Sequence, residues 1–343
     1  MFSKKLAAET AGPAGHPLDP FAPKANGGLA LAAAALFLVA TASLLLAARG
    51  NPYDGGPMAR ARILFSAAQS TVSEAGRGPR LSGAGALPAA PIAGLSAPGP
   101  GGLLPIIAPD GRASWKAYAR PFADDGRPKI ALVIGGLGLN PDQTRQAIDA
   151  LPPEVTLSFS PYAENLQAQI DRARAAGHEV MVELPMEPLD YPDNDPGPYT
   201  LLSSAQPSEI QTKLDWLMSR ATGYFAVTNV FGSRFLGQDK AMAPVIQTLR
   251  QRGVAFIDDG QAAARGGGLH RASLGPKIDA DLDSTAIDNQ LLSLEAAALQ
   301  SGAALGTGSD YPLTVNQVQK WATAVRDRGY ALAPASALMT LRP

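Results

Sequence analysis

The feature that most constrains the fold of this chain is a rhythm. Short apolar runs recur at 130–134 (IALVI), 156–160 (TLSFS), 179–183 (EVMVE), 224–228 (YFAVT), 254–258 (VAFID), 303–307 (AALGT) and 331–335 (ALAPA). A helical pattern follows almost every run. Six or seven strands, each followed by a helix, specify a parallel α/β fold. Near-continuous apolar runs suit strands covered on both faces. An open doubly wound sheet and a β/α barrel satisfy the pattern equally.

The helices carry their own boundary signals. NPDQTRQAIDAL offers Asn140 as N-cap, Pro141 at the first helical position and Gln143 at the third. PSEIQTKLDWLMSRA places Ile210, Leu214 and Leu217 on one face. AIDNQLLSLEAAALQSG ends at Gly302, a C-cap glycine.

In either architecture a site forms at the carboxyl ends of the strands. The residues expected there are Gly135 and Gly136, then Pro161 and Tyr162, then Glu183 with LPMEP, then Asn229, Ser233 and Arg234. Asp258, Asp259 and Gly260 follow, then Asp279, Asp281 and Asp283 of KIDADLD, and finally Gly308, Ser309 and Asp310. This rim is acidic and polar and contains no histidine. His178 precedes its strand, which puts it at the opposite end, and His270 falls in the glycine-rich stretch RGGGLHRAS, read as a loop. IGGLG is no phosphate loop: no third glycine completes G-x-G-x-x-G, and no G-x-x-x-x-G-K-[ST] occurs.

Composition removes whole classes of function. With 29 basic and 30 acidic residues, no charge surplus points to nucleic acid. The absence of cysteine removes disulfides, zinc ribbons, iron–sulfur clusters and thiol nucleophiles. Only three histidines occur, His16, His178 and His270.

Three segments precede the rhythmic part. Residues 1–26 read as a cytoplasmic tail. Residues 27–48 form 22 uncharged positions, enough for one membrane-spanning helix. Lys4, Lys5 and Lys24 lead it, which keeps the N-terminus in the cytoplasm and puts the folded domain on the outer, periplasmic side of the inner membrane. A cleaved signal peptide has a shorter apolar core. Residues 49–114 read as a Pro/Gly/Ala-rich, mostly disordered linker: Asn51 to Asp110 holds 10 Gly and 9 Pro in 60 residues. The folded domain is expected over 115–343.

The stretches IALVIGGLG, GHEVMVELPMEP, TNVFGSRF, FIDDG and GTGSDYPLT occur in an order and spacing that resembles the divergent polysaccharide deacetylases, relatives of the NodB-type carbohydrate esterases. The resemblance covers roughly residues 128–338. It implies a distorted parallel (β/α) barrel of about seven strands with a glycan-facing cleft. It also implies an aspartate pair after the first strand, a divalent metal such as zinc, and histidines as ligands and acid. Gly135 and Gly136 stand where that pattern has the aspartates; Glu183, Val230 and Ser309 stand where it has histidines. Asn229, Gly232, Ser233 and Asp258 are retained.

Metal-assisted deacetylation needs a metal to polarise the amide and activate water, plus a base and an acid. Neither histidine of the folded part follows an expected strand, so no metal and no cofactor is expected. Three functional readings follow. The first is a membrane-anchored, deacetylase-like domain of the envelope that binds glycan, a peptidoglycan-like polymer or an envelope protein. The second is an enzyme with a rebuilt site, its catalytic candidates Glu183, Asp258, Asp259 and Asp310. The third is a role in assembly alone. The cleft is expected to include Gly135, Gly136, Tyr162, Asn229, Ser233, Arg234, Asp279 and Ser309. Bland roles are also on offer: an ion pair of Glu183 with Arg234, loop bracing by Asp258 and Asp259, and packing by Tyr162 and Trp216.

Overall fold

The computed structural model describes residues 85–260 and 268–342. The tail at 1–26, the membrane helix at 27–48 and the first part of the linker lie outside the described residues. Among the described residues no helix is long and apolar enough to cross a membrane.

Seven parallel strands form the core: β3 (Lys129–Leu137), β4 (Thr156–Phe159), β5 (Val180–Met186), β6 (Ala226–Phe231), β7 (Ala255–Asp258), β8 (Leu269–Ser273) and β9 (Ala303–Ser309). Their order across the sheet is β9-β3-β4-β5-β6-β7-β8. The short β10 (Ala331–Leu332) adds in parallel at the start of β3, and β11 (Thr340–Arg342) pairs antiparallel with β8. The sheet curls until its ends meet through irregular chain. After β8, the Gly275 N–H donates to the Leu305 carbonyl at 2.6 Å and the Ile278 N–H to the Thr307 carbonyl at 2.8 Å. The result is a curled parallel half-barrel of seven strands, the α/β class expected.

The strands between turns alternate in what they face. On β3, Ile130, Leu132 and Ile134 join the large cluster under the helices, while Ala131 and Val133 join the interior cluster with Ala226, Ala255 and Ala272. Small residues suit the narrow interior. After the short α1 (Ser114–Ala117), the main helices cover the outside: α2 (Pro141–Ala150), α3 (Leu166–Ala175), α4 (Pro207–Met218), α5 (Asp239–Arg252), α6 (Ser284–Ser301) and α7 (Pro312–Val325). The Asn140 side chain caps α2 by accepting from the Asp142 and Gln143 N–H groups. Ile210, Leu214 and Leu217 are buried on α4, and Gly302 closes α6 at φ 78°.

The structure corrects two expectations. The run at 331–335 contributes only two strand residues, since Pro334 cannot donate to a ladder. The seventh barrel strand is instead β8, inside the stretch read as a glycine-rich loop. His270 lies on it and stacks on Trp115 at 3.5 Å.

The described structure also reaches about thirty residues before Trp115, into the stretch expected to be a disordered linker. A hairpin of β1 (Ser96–Gly99) and β2 (Gly102–Pro105) packs on the barrel, with Leu87, Leu95 and Leu104 buried. The Arg174 guanidinium holds this segment by donating to the carbonyls of Pro88, Tyr118 and Gly223. Glycine here serves close approach as well as conformation: Gly102 lies at φ 146°, and a Cβ on it would stand 2.6 Å from the Ser219 carbonyl oxygen.

The amino-terminal end of the barrel is sealed by polar side chains. The buried Glu179 carboxylate accepts from the Arg120 N–H, the Thr156 hydroxyl, and both the N–H and hydroxyl of Ser336. His178 is fully buried at this end, its ring nitrogens 2.8 Å and 3.1 Å from the Val155 and Ile148 carbonyls.

Candidate functional site

At the opposite end, β3 runs out into Gly135 and Gly136. Gly136 sits at φ 83°, the left-handed region. Its N–H donates to Glu183 Oε1 at 2.7 Å. Gly135 pairs in register with Ser309 on β9, and its carbonyl accepts from the Asp310 N–H at 3.1 Å. Two carboxylates therefore converge on the glycine pair. A Cβ on Gly135 would lie 3.0 Å from Glu183 Oε1, and one on Gly136 would lie 3.4 Å from Asp310 Oδ1.

Both carboxyls are buried, Glu183 at 7 % and Asp310 at 9 % exposure. Burial pushes Glu183 up to about 7; the Gly136 N–H pulls it back, and the charge of Asp310 adds to the rise. Burial pushes Asp310 up to about 6, and the charge of Asp279 adds to it. Asp279 is half engaged in structure: its Oδ2 accepts from the Ser309 N–H at 2.7 Å and the Thr314 hydroxyl at 2.9 Å, while its buried Oδ1 has no hydrogen-bond partner and lies 3.8 Å from Lys277 Nζ.

Two interior hydroxyls complete the floor. Thr228 is the register partner of Glu183 on β6, and its buried Oγ1 has no hydrogen-bond partner. Ser158 lies beside Gly135, its Cβ 3.9 Å from where a Gly135 Cβ would be. Its hydroxyl is near enough to the Glu183 carboxylate to lower that group's pKa, yet falls outside hydrogen-bond geometry and finds no other partner. Sequence reasoning missed both because it considered only residues after each strand. The alternation Thr156, Ser158, Ser160 in TLSFS was the available signal.

The remaining expected residues divide. Asn229 braces the β6 and β7 ends, donating to the Phe231 carbonyl at 2.6 Å and accepting from the Asp259 N–H at 3.1 Å. Ser233 accepts from the Leu189 N–H at 3.0 Å. Arg234 does not pair with Glu183. It lies 3.5 Å from Glu187, one loop further on, and also donates to the Leu189 carbonyl. Asp258 leaves the candidate catalytic set: it follows the parity of Phe256, toward the helices. Its carboxylate is fully buried in an ion pair with Arg271 at 2.7 Å and accepts from Ser273 Oγ and the Gly260 N–H. Tyr162 is a packing residue. Its hydroxyl accepts from the Tyr199 N–H at 3.0 Å, and Tyr199 stacks on Trp216 at 3.6 Å. The exposed aromatics near the site are instead Phe231 and Tyr311, at the ends of β6 and β9.

The residues present do not fit the metal that the resemblance implies. Gly135 and Gly136 offer no side-chain donor atoms, and a Cβ at Gly135 would stand 3.0 Å from Glu183 Oε1. Among the described residues no three histidine, cysteine, aspartate or glutamate side chains are grouped so as to hold a metal ion.

A curled parallel α/β half-barrel with its polar site at the strand ends defines the class. The family follows from residues 132–339, which match the divergent polysaccharide deacetylase family, and the chain belongs to it. Its relatives include the uncharacterized protein YibQ of Escherichia coli K12, 24% identical over 199 residues, which are 56% of this chain and 61% of that one. An uncharacterized protein of Haemophilus influenzae is 22% identical over 130 residues, 38% of this chain and 45% of that one. The matches thus span about three fifths or less of these curated relatives. The crystal structure of uncharacterized protein ATU2773 from Agrobacterium tumefaciens C58 superposes with a TM-score of 0.66 at 33% identity, covering 69% of this chain and 99% of that one.

Proposed function

We propose that this domain binds an envelope polysaccharide, such as a peptidoglycan-like polymer, in the cleft at the strand ends, without the family's metal-dependent deacetylation. The family supplies the ligand class. The observation that carries the rest is the glycine pair. Gly135 and Gly136 give no ligand and no base, and the Glu183 carboxylate occupies the space that a side chain at Gly135 would need. In this reading the segment at 27–48 anchors the chain in the inner membrane, the domain faces the periplasm, and the protein is a pseudoenzyme that needs no cofactor.

The test is direct. The purified full chain is assayed for retention on insoluble peptidoglycan, for acetate release from acetylated glycan with and without added zinc, and for bound metal. Retention without acetate release is the expected result. Zinc-dependent acetate release, with metal near one equivalent, would overturn it.

A second reading has one observation in its favour. Glu183 and Asp310 are both held high, to about 7 and about 6, as an acid and base pair working near neutral pH would be. Metal-independent production of reducing ends from glycan would favour that reading over the first.

A further inference from the structure

The site has a chemical bias that glycan binding in general does not require. Among the described residues no cation pairs with Glu183 or Asp310. The neighbouring cations are engaged elsewhere, Arg234 with Glu187 and Lys277 3.8 Å from Asp279. Among the described residues two carboxylates thus flank Gly136 without a counter-charge, and the hydroxyls of Thr228 and Ser158, on residues 4 % and 1 % exposed, lack partners beside them. A buried, uncompensated acidic floor with spare hydroxyls favours a cationic, hydrogen-bonding ligand.

The walls are apolar. Of nine exposed large apolar side chains among the described residues, five sit on the loops at this end: Leu139, Leu189, Phe231, Leu282 and Tyr311. Leu189 follows β5 and Phe231 ends β6; Leu139 and Tyr311 follow the adjacent β3 and β9. The two pairs lie on either side of β4, with the glycine pair on β3 and Glu183 on β5.

Phe231 is the most telling. It is 47 % exposed yet held at φ 57°, a left-handed conformation strained for a bulky residue. Asn229 maintains it by donating to the Phe231 carbonyl. Strain that leaves an aromatic ring in water beside a polar floor is a ligand-facing arrangement.

We propose that the cleft takes an amino-sugar polymer carrying free amines. One ammonium docks between Glu183 and Asp310, and the apolar faces of the pyranose rings lie on Phe231 and Tyr311. An N-acetylated unit would bring a neutral amide to the same acidic floor and leave both carboxylates unpaired. The inference rests on the glycan reading above and sharpens it: the domain recognises glycan that has already lost its acetyl groups. The raised carboxyl pKa values lend support, because an incoming ammonium favours the ionised carboxylates and binding should release protons.

The test compares two pentasaccharides of equal length and linkage, one of glucosamine and one of N-acetylglucosamine. They are titrated calorimetrically into the detergent-solubilised full chain near pH 7, in two buffers of different ionisation enthalpy. The glucosamine pentamer should bind at least about tenfold tighter, the factor one charge-assisted contact supplies, with net proton release. Glu183→Gln and Asp310→Asn should each erode that preference, whereas Phe231→Ala should weaken both pentamers alike. Equal or tighter binding of the acetylated pentamer would sink the free-amine inference and leave the glycan reading standing. Binding of neither would sink both. A preference that survives both carboxylate variants would place amine recognition elsewhere and refute the assignment.

Discussion

Replacing Glu183 by glutamine should change stability in a pH-dependent way whose sign is fixed by burial. The carboxyl is pushed from its ordinary 4.5 up to about 7 in the folded protein. The folded state therefore holds the proton more tightly than the unfolded chain. Stability contributed by the protonated form is complete below about pH 4.5 and is lost as pH rises to about 7. At about 1.4 kcal/mol per pH unit, the loss reaches about 3 kcal/mol. Glutamine keeps an oxygen to accept the Gly136 N–H and never ionises. It also brings a donor within reach of the unpartnered Ser158 hydroxyl. Wild type and Glu183→Gln should thus unfold alike near pH 4, and the variant should be more stable by about 3 kcal/mol near pH 8. For a domain of this size the difference corresponds to roughly 6–12 °C in melting temperature. Thermal unfolding followed by circular dichroism between about pH 4 and pH 8 measures it. A pH-independent difference, or a wild-type advantage that grows with pH, would show that hydrogen bonding to the ionised carboxylate outweighs its burial.

Phe231→Gly should relieve the left-handed strain and raise stability by about 1 kcal/mol, while retention on insoluble glycan falls; a drop in melting temperature would contradict the strain argument. Arg271→Met leaves the Asp258 carboxylate buried without its ion-pair partner and should cost about 3–5 kcal/mol, read from the denaturant midpoint. Gly135→Asp restores the family's residue type but meets Glu183 Oε1 at 3.0 Å, so the variant should lose about 1–3 kcal/mol and gain no stoichiometric zinc by elemental analysis. Arg174→Ala removes the three carbonyl contacts that hold the amino-terminal segment, and limited proteolysis should then cut within residues 85–120 faster than in wild type.

Much of the fold was legible because periodicity is a local property. The first six apolar runs, the Asn140 cap and the Gly302 cap each depend on residues close in sequence, and all stand in the structure. Strand β8 escaped because LHRAS carries an arginine where an apolar residue was expected. That arginine is paired with Asp258, thirteen positions earlier, which lies beside it on β7. The order of residues 85–114 escaped because glycine and proline read as freedom. Here glycines allow close approach to Ser219, and Arg174, far along the chain, supplies the anchor.

The sequence by itself determined that the turn after β3 carries no acid of its own. Glycine at 135 and 136, and the scarcity of histidine, are facts no folding can change. It could not say which acids face the site. In a parallel sheet covered on both faces, each run is apolar throughout, so the pattern does not reveal which parity points inward. Glu183 and Asp258 both end apolar runs, yet the first contacts the glycine pair and the second an arginine on the neighbouring strand. The curl and register of the sheet made that choice. They also bring Asp310, from the other end of the chain, within reach of Gly136, so that a turn without acids of its own is filled by carboxylates from β5 and the end of β9.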